Sequence, residues 1–266
     1  MRLIEDWPVE NAAAAVVRGG DVVDSSGDQE RGYRLASVTK LLSAYAVLVA
    51  VEEGAVEWDQ PAGPEGATVR HLIAHTAGYA FDSTDVQAAP GTRRIYSNAG
   101  FQVLADTVAE SSGIGFADYL AEGVLKPLGM ASTALEGHAG AGAVSTCGDL
   151  AVFAGELQNP TLVSRELFAE ATSVVFPGLN GVLPGYGMQK PNDWGLGFEL
   201  RDGKSPHWTG TANSARTFGH FGQSGTFLWV DPEAGLACVA LTDRQFGPWA
   251  VEAWPPFSDQ VLADHR

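Results

Sequence analysis

Ser37 and Lys40 are the residues whose types and spacing best suit nucleophilic chemistry. A serine hydroxyl is a weak nucleophile at neutral pH, so an enzyme that uses one needs a nearby base and donors for the developing oxyanion. Residues three apart share one helix face, so the Lys40 amine can approach the Ser37 hydroxyl beside the positive end of the helix dipole. A surface lysine beside an N-cap serine would give the same pattern. Of the lysines in the chain, however, only Lys40 has a serine three residues before it.

Tyr96 and Asn98 form a second polar pair that could move protons and orient a substrate. Tyr96 is the only tyrosine followed two positions later by an asparagine. It lies between a turn at Pro90-Gly91 and an amphipathic stretch that predicts a helix. Alone, this motif would be interpreted as a partly buried tyrosine in a loop, so its functional meaning depends on the Ser37 and Lys40 pair.

His220, Phe221 and Gly222 form a third candidate segment, because an apolar run that predicts a strand follows them directly. An edge strand can turn backbone N–H groups towards a bound carbonyl group. The same three-residue pattern recurs at residues 138–140, in a loop rich in glycine and alanine. Because no strand follows that second match, the sequence context favours His220.

Hydrophobic periodicity predicts the elements that must position these residues. Apolar residues recur at helical spacing from Ser37 to about Glu53, which predicts a helix with one buried face that ends at Gly54. Two β-prone runs, at 15–17 and 22–23, flank glycines and predict a hairpin. The remaining predictions are a mostly helical stretch at 58–158, a strand hairpin around 231–235, and a closing helix at 255–266.

The order of these elements predicts one domain over residues 1–266 of the α/β (α+β) class. The two ends, about 1–50 and 192–266, would form one antiparallel sheet flanked by helices. The region of about 51–191 would be an inserted, mainly helical region that packs beside the sheet.

Composition and charge limit the partners that the protein can have. Sixteen basic and thirty-two acidic residues give a net charge of −16, which works against binding nucleic acid or an anionic membrane surface. We therefore expect a small-molecule substrate, and neither a nucleic-acid nor a membrane partner. Cys147 and Cys238 form no CxxC motif or disulfide framework, so we expect free thiols and no metal or cofactor. The first residues contain no export signal, which predicts a cytoplasmic location.

The order SxxK, YxN and HxG resembles the serine β-lactamase and penicillin-binding protein superfamily. The similarity is greatest to the branch of class C β-lactamases, D-alanyl-D-alanine carboxypeptidases and related esterases. Segments such as VRHLIAHTAGY, PGTRRIYSNAGFQVLADTV and FGHFGQSGTFLWVDPEAGLACVALTD extend the resemblance from about Arg34 to Arg244. It implies a β-lactamase/transpeptidase-like fold with the catalytic serine at the junction of the sheet and the helical region.

The resemblance also implies roles for the proton-handling residues. Ser37 would attack a carbonyl and form an acyl-enzyme, and Lys40 would accept or relay its proton. Tyr96, acidified by the nearby ammonium, would act as general base and later protonate the leaving group. Asn98 would position either the substrate amide or the Lys40 amine.

The wall opposite these residues is implied by the same resemblance. The N–H groups of Ser37 and Gln223 would form the oxyanion hole, and His220 would support the Tyr96 proton. The chain departs from the family at Phe221, where relatives usually have a threonine that holds a substrate carboxylate, and at His220, where many have lysine. Anionic substrates should therefore bind poorly. Two alternatives remain: Phe221 points into the core, or a nearby arginine (Arg93, Arg94 or Arg216) supplies the missing positive charge.

We therefore expect an esterase or amidase for small neutral acyl compounds, with weak or no β-lactamase or D-alanyl peptidase activity. The alternative is a non-catalytic penicillin-binding or sensor domain that keeps the fold. His71 and His75 have the spacing of a zinc motif but lack its glutamate, so core or capping roles are favoured. The segment 222–226 resembles a nucleophile elbow, but it lacks the final glycine and the following helix. The substrate and the oligomeric state stay open.

Overall fold

The computed structural model describes residues 2–266. The strands are β1 (Ala12–Arg18), β2 (Asp21–Ser26), β3 (Tyr33–Arg34), β4 (Ala134–Leu135), β5 (Ala143–Ser145), β6 (Gly181–Leu183), β7 (Gly187–Gln189), β8 (Glu199–Leu200), β9 (Phe218–Gly222), β10 (Thr226–Asp231) and β11 (Leu236–Thr242). The α-helices are α1 (Thr39–Glu52), α2 (Val69–Ile73), α3 (Asn98–Ser112), α4 (Phe116–Leu120), α5 (Cys147–Gln158), α6 (Arg165–Ala171) and α7 (Pro248–His265). No helix in this described range is long and apolar enough to cross a lipid bilayer.

The main sheet is antiparallel and joins the two ends of the chain. Its strand order is β2-β1-β11-β10-β9-β8. Gly19 and Gly20, both with positive φ, make the tight turn of the predicted first hairpin. The predicted hairpin of β10 and β11 is also present. The mixed α/β fold with an antiparallel sheet was therefore predicted correctly from the sequence.

Alternating side chains give the sheet two apolar faces. One face packs with α1 and α5 in a large core that includes Leu228 and Val239. The other face carries Phe227 and Trp229 and packs against α7 in a second, aromatic core. In β9 this alternation places the side chains of His220 and Phe221 on opposite faces.

Helix α1 lies deeper than its sequence pattern predicted. Every residue from Thr39 to Ala50 is buried, whereas one buried face was expected. The reason is that α1 contacts α3, α6 and β9, and so runs between the sheet and the helical region. Such a helix needs apolar or hydrogen-bonded side chains all round.

Two other expectations need correction. The region 51–191 contains the predicted helices, but it also contributes β4 and β5, which pair with β3, and the small hairpin of β6 and β7. The closing helix begins at Pro248 and not at Pro255, which lies inside it with Pro256. The two prolines remove donors for the carbonyls of Val251 and Glu252, which lie on the exposed side of the helix where water can replace those donors.

Candidate active site

Ser37 lies in a single 3-10 turn, Ala36–Val38, that leads directly into α1. Ala36 has a φ of 44°, a left-handed conformation that costs a non-glycine residue about 1 kcal/mol or more. The end of β9 approaches this turn closely. A Cβ atom at Gly222 would lie 2.3 Å from the carbonyl oxygen of Leu35. Strained backbone and a close glycine contact thus fix the position of the serine relative to the sheet.

The hydroxyl group of Ser37 lies between two potential proton carriers. The Tyr96 hydroxyl donates a hydrogen bond of 2.6 Å to Ser37 Oγ. Lys40 Nζ lies 3.5 Å from the same oxygen, and 4.5 Å from the centre of the Tyr96 ring. The structure therefore brings the three residues together as the SxxK and YxN motifs predicted. This geometry allows proton transfer among them with small movements.

Lys40 is fully buried and is held by two oxygen atoms. Its Nζ donates to Asn98 Oδ1 at 2.6 Å and to the carbonyl oxygen of Gly140 at 2.8 Å. Burial lowers the pKa of Lys40 well below its usual value, and the carboxylate of Asp82 opposes this shift in part. Burial thus disfavours the charged form of Lys40, and a lysine that gives up its proton more readily is better suited to act as a base. Of the two partners predicted for Asn98, the structure shows the Lys40 amine.

The carbonyl of Gly140 belongs to the second HxG match, which the sequence context had set aside. In this loop the N–H of Gly140 donates to His138 Nδ1 at 2.9 Å. Ser43, from α1, donates through its Oγ to the carbonyl oxygen of Ala139 at 2.6 Å. The loop is therefore clamped on the helix that carries Lys40. The sequence held no signal for this contact beyond the glycines themselves.

Tyr96 is not acidified, contrary to expectation. Burial raises the pKa of Tyr96 well above its usual value, the hydrogen bond with Ser37 opposes this shift, and Asp82 adds to it. The expected acidification required an ammonium group at Lys40, whose charged form is disfavoured by the same burial. Tyr96 is therefore a neutral phenol in the resting site, suited to donate a proton.

His220 lies beside Tyr96 but does not hold its proton. Its ring centre is 5.6 Å from that of Tyr96, while its Nδ1 and the carbonyl oxygen of Phe221 are 2.6 Å apart. Burial lowers the pKa of His220 to about 3, so the ring is neutral and Nδ1 carries the hydrogen. The Nε2 atom has no partner among residues 2–266. The predicted support of Tyr96 by His220 is thus not present as a hydrogen bond.

His75 is a buried neighbour of Tyr96 that the sequence placed in a core or capping role. Its ring centre lies 4.7 Å from Tyr96 and 4.9 Å from Trp194. The N–H of Ser97 donates to His75 Nδ1 at 3.2 Å. Burial lowers the pKa of His75 well below its usual value, and Lys40 lowers it further. His75 therefore acts as a neutral wall behind the phenol.

A cleft of about 330 Å³ opens in front of Ser37. Gln223, the expected second oxyanion donor, follows β9 directly and lines the cleft. Phe221 borders the cleft too, although most of its ring packs in the aromatic core, 4.8 Å from Phe246. Phe221 therefore packs in the core, and it also occupies the part of the cleft wall where relatives have a threonine. The remaining lining residues are mostly apolar or aromatic, and are Phe81, Tyr96, Leu183, Pro184, Trp194, Glu199 and His220.

None of the arginines considered in the sequence supplies a charge to this cleft. The Arg94 guanidinium is buried and donates to backbone carbonyls, including that of Ala74, and Arg216 lines a separate cavity. Arg93 is exposed and is not among the cleft's lining residues. Lys204 is not available either, because its ammonium donates to Glu199 at 2.5 Å and to the backbone carbonyls of Asp193 and Leu200.

Known proteins share this arrangement of elements. A family model described as Beta-lactamase matches residues 8–263. The solved structure of a β-lactamase from Mycobacterium bovis is 60% identical, with a TM-score of 0.98 over 99% of this chain and 98% of that chain. Unliganded simvastatin synthase (LovD) from Aspergillus terreus is 16% identical, with a TM-score of 0.80 over 99% of this chain and 96% of that one, and shares the fold.

A curated relative gives a shorter match. The D-alanyl-D-alanine-carboxypeptidase/endopeptidase AmpH of Escherichia coli K12 is 26% identical in an alignment of 137 positions, and the match covers 38% of this chain and 36% of AmpH. The matched segment therefore spans about a third of the length of that protein. The family match, in contrast, extends over nearly all of the sequence, and the chain belongs to the β-lactamase family.

Proposed function

We propose that the protein is a serine hydrolase that forms an acyl-enzyme at Ser37 and hydrolyses small, neutral esters or amides. The observation that carries this proposal is the position of Ser37 Oγ between two side chains that can exchange protons with it. The Tyr96 phenol donates to it at 2.6 Å, and the buried Lys40 amine lies 3.5 Å away. One group can give a proton and the other can take one.

Acylation would proceed in two proton transfers. As Ser37 Oγ bonds to the substrate carbonyl carbon, its proton passes to the neutral Lys40 amine. As the bond from that carbon to the leaving oxygen or nitrogen breaks, the Tyr96 phenol protonates the leaving group. The Lys40 ammonium then returns its proton to the Tyr96 phenolate. Deacylation repeats these steps with water as nucleophile and Ser37 Oγ as leaving group.

The position of Ser37 also suits stabilisation of the oxyanion. Its backbone N–H lies in the turn that begins α1, and Gln223 follows β9 on the other side of the cleft. We assign the two oxyanion donors to these N–H groups, because preorganised donors at a developing negative charge usually give the largest single contribution to catalysis.

The cleft supports a neutral acyl group. Its lining is apolar apart from a few polar groups, and its one carboxylate, that of Glu199, keeps a pKa of about 2 through its contacts with His207 and Lys204 despite burial. Glu199 is already bonded to Lys204, and no lysine or arginine is among the described lining residues, so a substrate carboxylate would find no free cation to pair with. A second candidate, β-lactam hydrolysis, is favoured by the Mycobacterium bovis relative, which is described as a β-lactamase.

A substrate panel on the purified protein tests the proposal. We expect short-chain p-nitrophenyl esters to be hydrolysed with a higher kcat/KM than nitrocefin or D-alanyl peptides. A fluorophosphonate probe should label wild-type protein but not Ser37→Ala. Absence of labelling of the wild type would instead support a non-catalytic binding domain, and a preference for nitrocefin would support the β-lactamase alternative.

A further inference from the structure

Asp82 makes a contact that none of the sequence motifs contains. Its Oδ1 accepts a hydrogen bond of 2.9 Å from Asn98 Nδ2, and the other end of the same amide, Oδ1, accepts from Lys40 Nζ at 2.6 Å. Asp82, Asn98 and Lys40 thus form a chain of side chains that ends at Ser37. The two neighbours of the amide also define its orientation, since a flip would place its oxygen against the carboxylate.

The orientation of this amide decides where the Lys40 lone pair points. A neutral amine has two N–H donors and one lone pair. Asn98 Oδ1 and the carbonyl oxygen of Gly140 accept the two hydrogens, so the lone pair is left for the Ser37 hydroxyl. If the amide were flipped, its NH2 group would donate to the lone pair and divert it from Ser37.

The loop that carries Asp82 is held firmly against the start of α3. The carbonyl oxygen of Phe81 accepts from the N–H groups of Asn98 at 2.7 Å and Ala99 at 3.2 Å. The Ser97 hydroxyl donates to the carbonyl oxygen of Ala80 at 2.6 Å. Although the Asp82 side chain is exposed, its backbone is therefore fixed next to the amide that it contacts.

We propose that Asp82 is a positioning residue that locks the Asn98 amide with its oxygen towards Lys40, and thereby keeps the Lys40 lone pair directed at Ser37. This inference rests on the proposed acyl-enzyme chemistry for its effect on rate. It requires only a hydrogen-bond acceptor at position 82, not a negative charge. An asparagine at position 82 should therefore hold the Asn98 amide in the same orientation through its side-chain carbonyl oxygen.

Comparison of Asp82→Ala with Asp82→Asn tests the lock. In Asp82→Ala we expect the acylation rate with a p-nitrophenyl ester to fall about tenfold, part of the full contribution of general-base catalysis, with little change in KM. Asp82→Asn should restore the rate to within about threefold of wild type, because the acceptor is present again. Asp85→Ala is the matched control, since Asp85 lies on the same loop but its carboxylate contacts Ser83.

Two further measurements separate this mechanism from a general effect on folding or charge. In an Asn98→Ala background, Asp82→Ala should have no additional effect on the acylation rate. In a Lys40 Cε NMR titration, the Lys40 pKa should be lower in Asp82→Ala than in Asp82→Asn, since a flipped amide would direct a donor at the ammonium. The neutral histidines around Lys40, which are His75, His138 and His220, are the same in both variants.

The outcomes are distinct. Equal acylation rates in the wild type and Asp82→Ala, or equal losses in Asp82→Ala and Asp82→Asn, would overturn the lock. So would equal Lys40 pKa values in the two variants. If the wild type formed no acyl-enzyme while the titrations differed as expected, the proposed function would fail and the lock would stand.

Discussion

In the mechanism proposed above, Lys40 and Tyr96 divide the two proton transfers that Ser37 would require. Burial disfavours both charged forms, the Lys40 ammonium and the Tyr96 phenolate. Both shifts favour the forms that the first step of this mechanism uses, an amine that accepts a proton and a phenol that donates one.

Removal of either proton carrier should stop acylation almost completely. We expect Lys40→Ala and Tyr96→Phe each to lower the single-turnover rate by about two powers of ten or more. The double variant should lose far less than the sum, because the residues act on one proton path. Lys126→Ala is the control, as that lysine is exposed and pairs with Glu122. Purely additive losses would mean that the two residues serve separate steps.

His220 should make the protein sensitive to acid. Its pKa is about 3 when folded and about 6.5 when unfolded. Below pH 6.5 the unfolded state therefore binds a proton that the folded state does not. We expect a loss of about 1.4 kcal/mol in unfolding free energy per pH unit from this residue between pH 6 and pH 4. Urea unfolding of wild type and His220→Gln checks this. Parallel pH profiles would contradict it.

The site residues could be found from sequence in part. Ser37, Lys40, Tyr96 and Asn98 were selected from motifs by their spacing, and the structure brings them together. The directions of their pKa shifts could not be predicted, because burial depends on how α1 packs between distant parts of the chain. Contacts from Asp82 and Gly140 were missed for the same reason, since both come from loops far from Ser37 in sequence.

At the scale of the elements, the end of β9 packs closely against the turn that carries Ser37. A side chain at Gly222 would collide with the backbone of Leu35 and, at 2.6 Å, with Thr226 Oγ1. Strand β9 can therefore approach the turn of Ser37 only because this residue lacks a Cβ atom. Gly222 therefore links the position of β9 to the position of the reactive serine.

Gly222→Ala should separate β9 from the serine turn. We expect a loss of about 1–3 kcal/mol in stability from overpacking, and a larger relative loss of esterase activity as the two oxyanion donors move apart. Thermal unfolding and kcat/KM are the measurements. Gly203→Ala is the matched control, because nothing lies within 4 Å of its added methyl group. Equal effects of both substitutions would refute the role of the close contact.

Local patterns predicted the hairpins and α1, since turn glycines and helical periodicity act over a few residues. The start of α7 was placed wrongly at Pro255, because a proline usually marks a helix boundary. Here the packing of Trp254, Phe257 and Val261 on the sheet outweighs the two lost backbone hydrogen bonds. Tertiary packing of this kind has no signal in a local window.

At the scale of the whole molecule, charge and site act in the same direction. A net charge of −16 repels anions at long range. Within the cleft, the described lining residues include no arginine or lysine, so a bound anion would have no partner of opposite charge. Substrate charge should therefore influence the rate twice, once in the approach and once in the bound state.

A pair of matched esters tests this double discrimination. We expect kcat/KM for a neutral p-nitrophenyl ester to exceed that for an ester with a terminal carboxylate by about tenfold or more. Raising the salt concentration from about 0.02 M to about 0.5 M should increase the rate for the anionic ester and leave the neutral one unchanged, because salt screens long-range repulsion. An anionic ester that reacts faster at low salt would contradict the proposed preference.

The burial of both cysteines has a consequence for labelling chemistry. Cys147 and Cys238 are inaccessible, and burial raises the pKa of Cys147 to about 12 and that of Cys238 well above its usual value, so neither presents a reactive thiolate. We expect maleimide to leave the native protein unmodified by mass spectrometry. A cysteine at the cleft mouth, where Phe81 is 49% exposed, would then be the single attachment point. Phe81→Cys could carry a fluorophore that reports acyl binding, with both native thiols left in place.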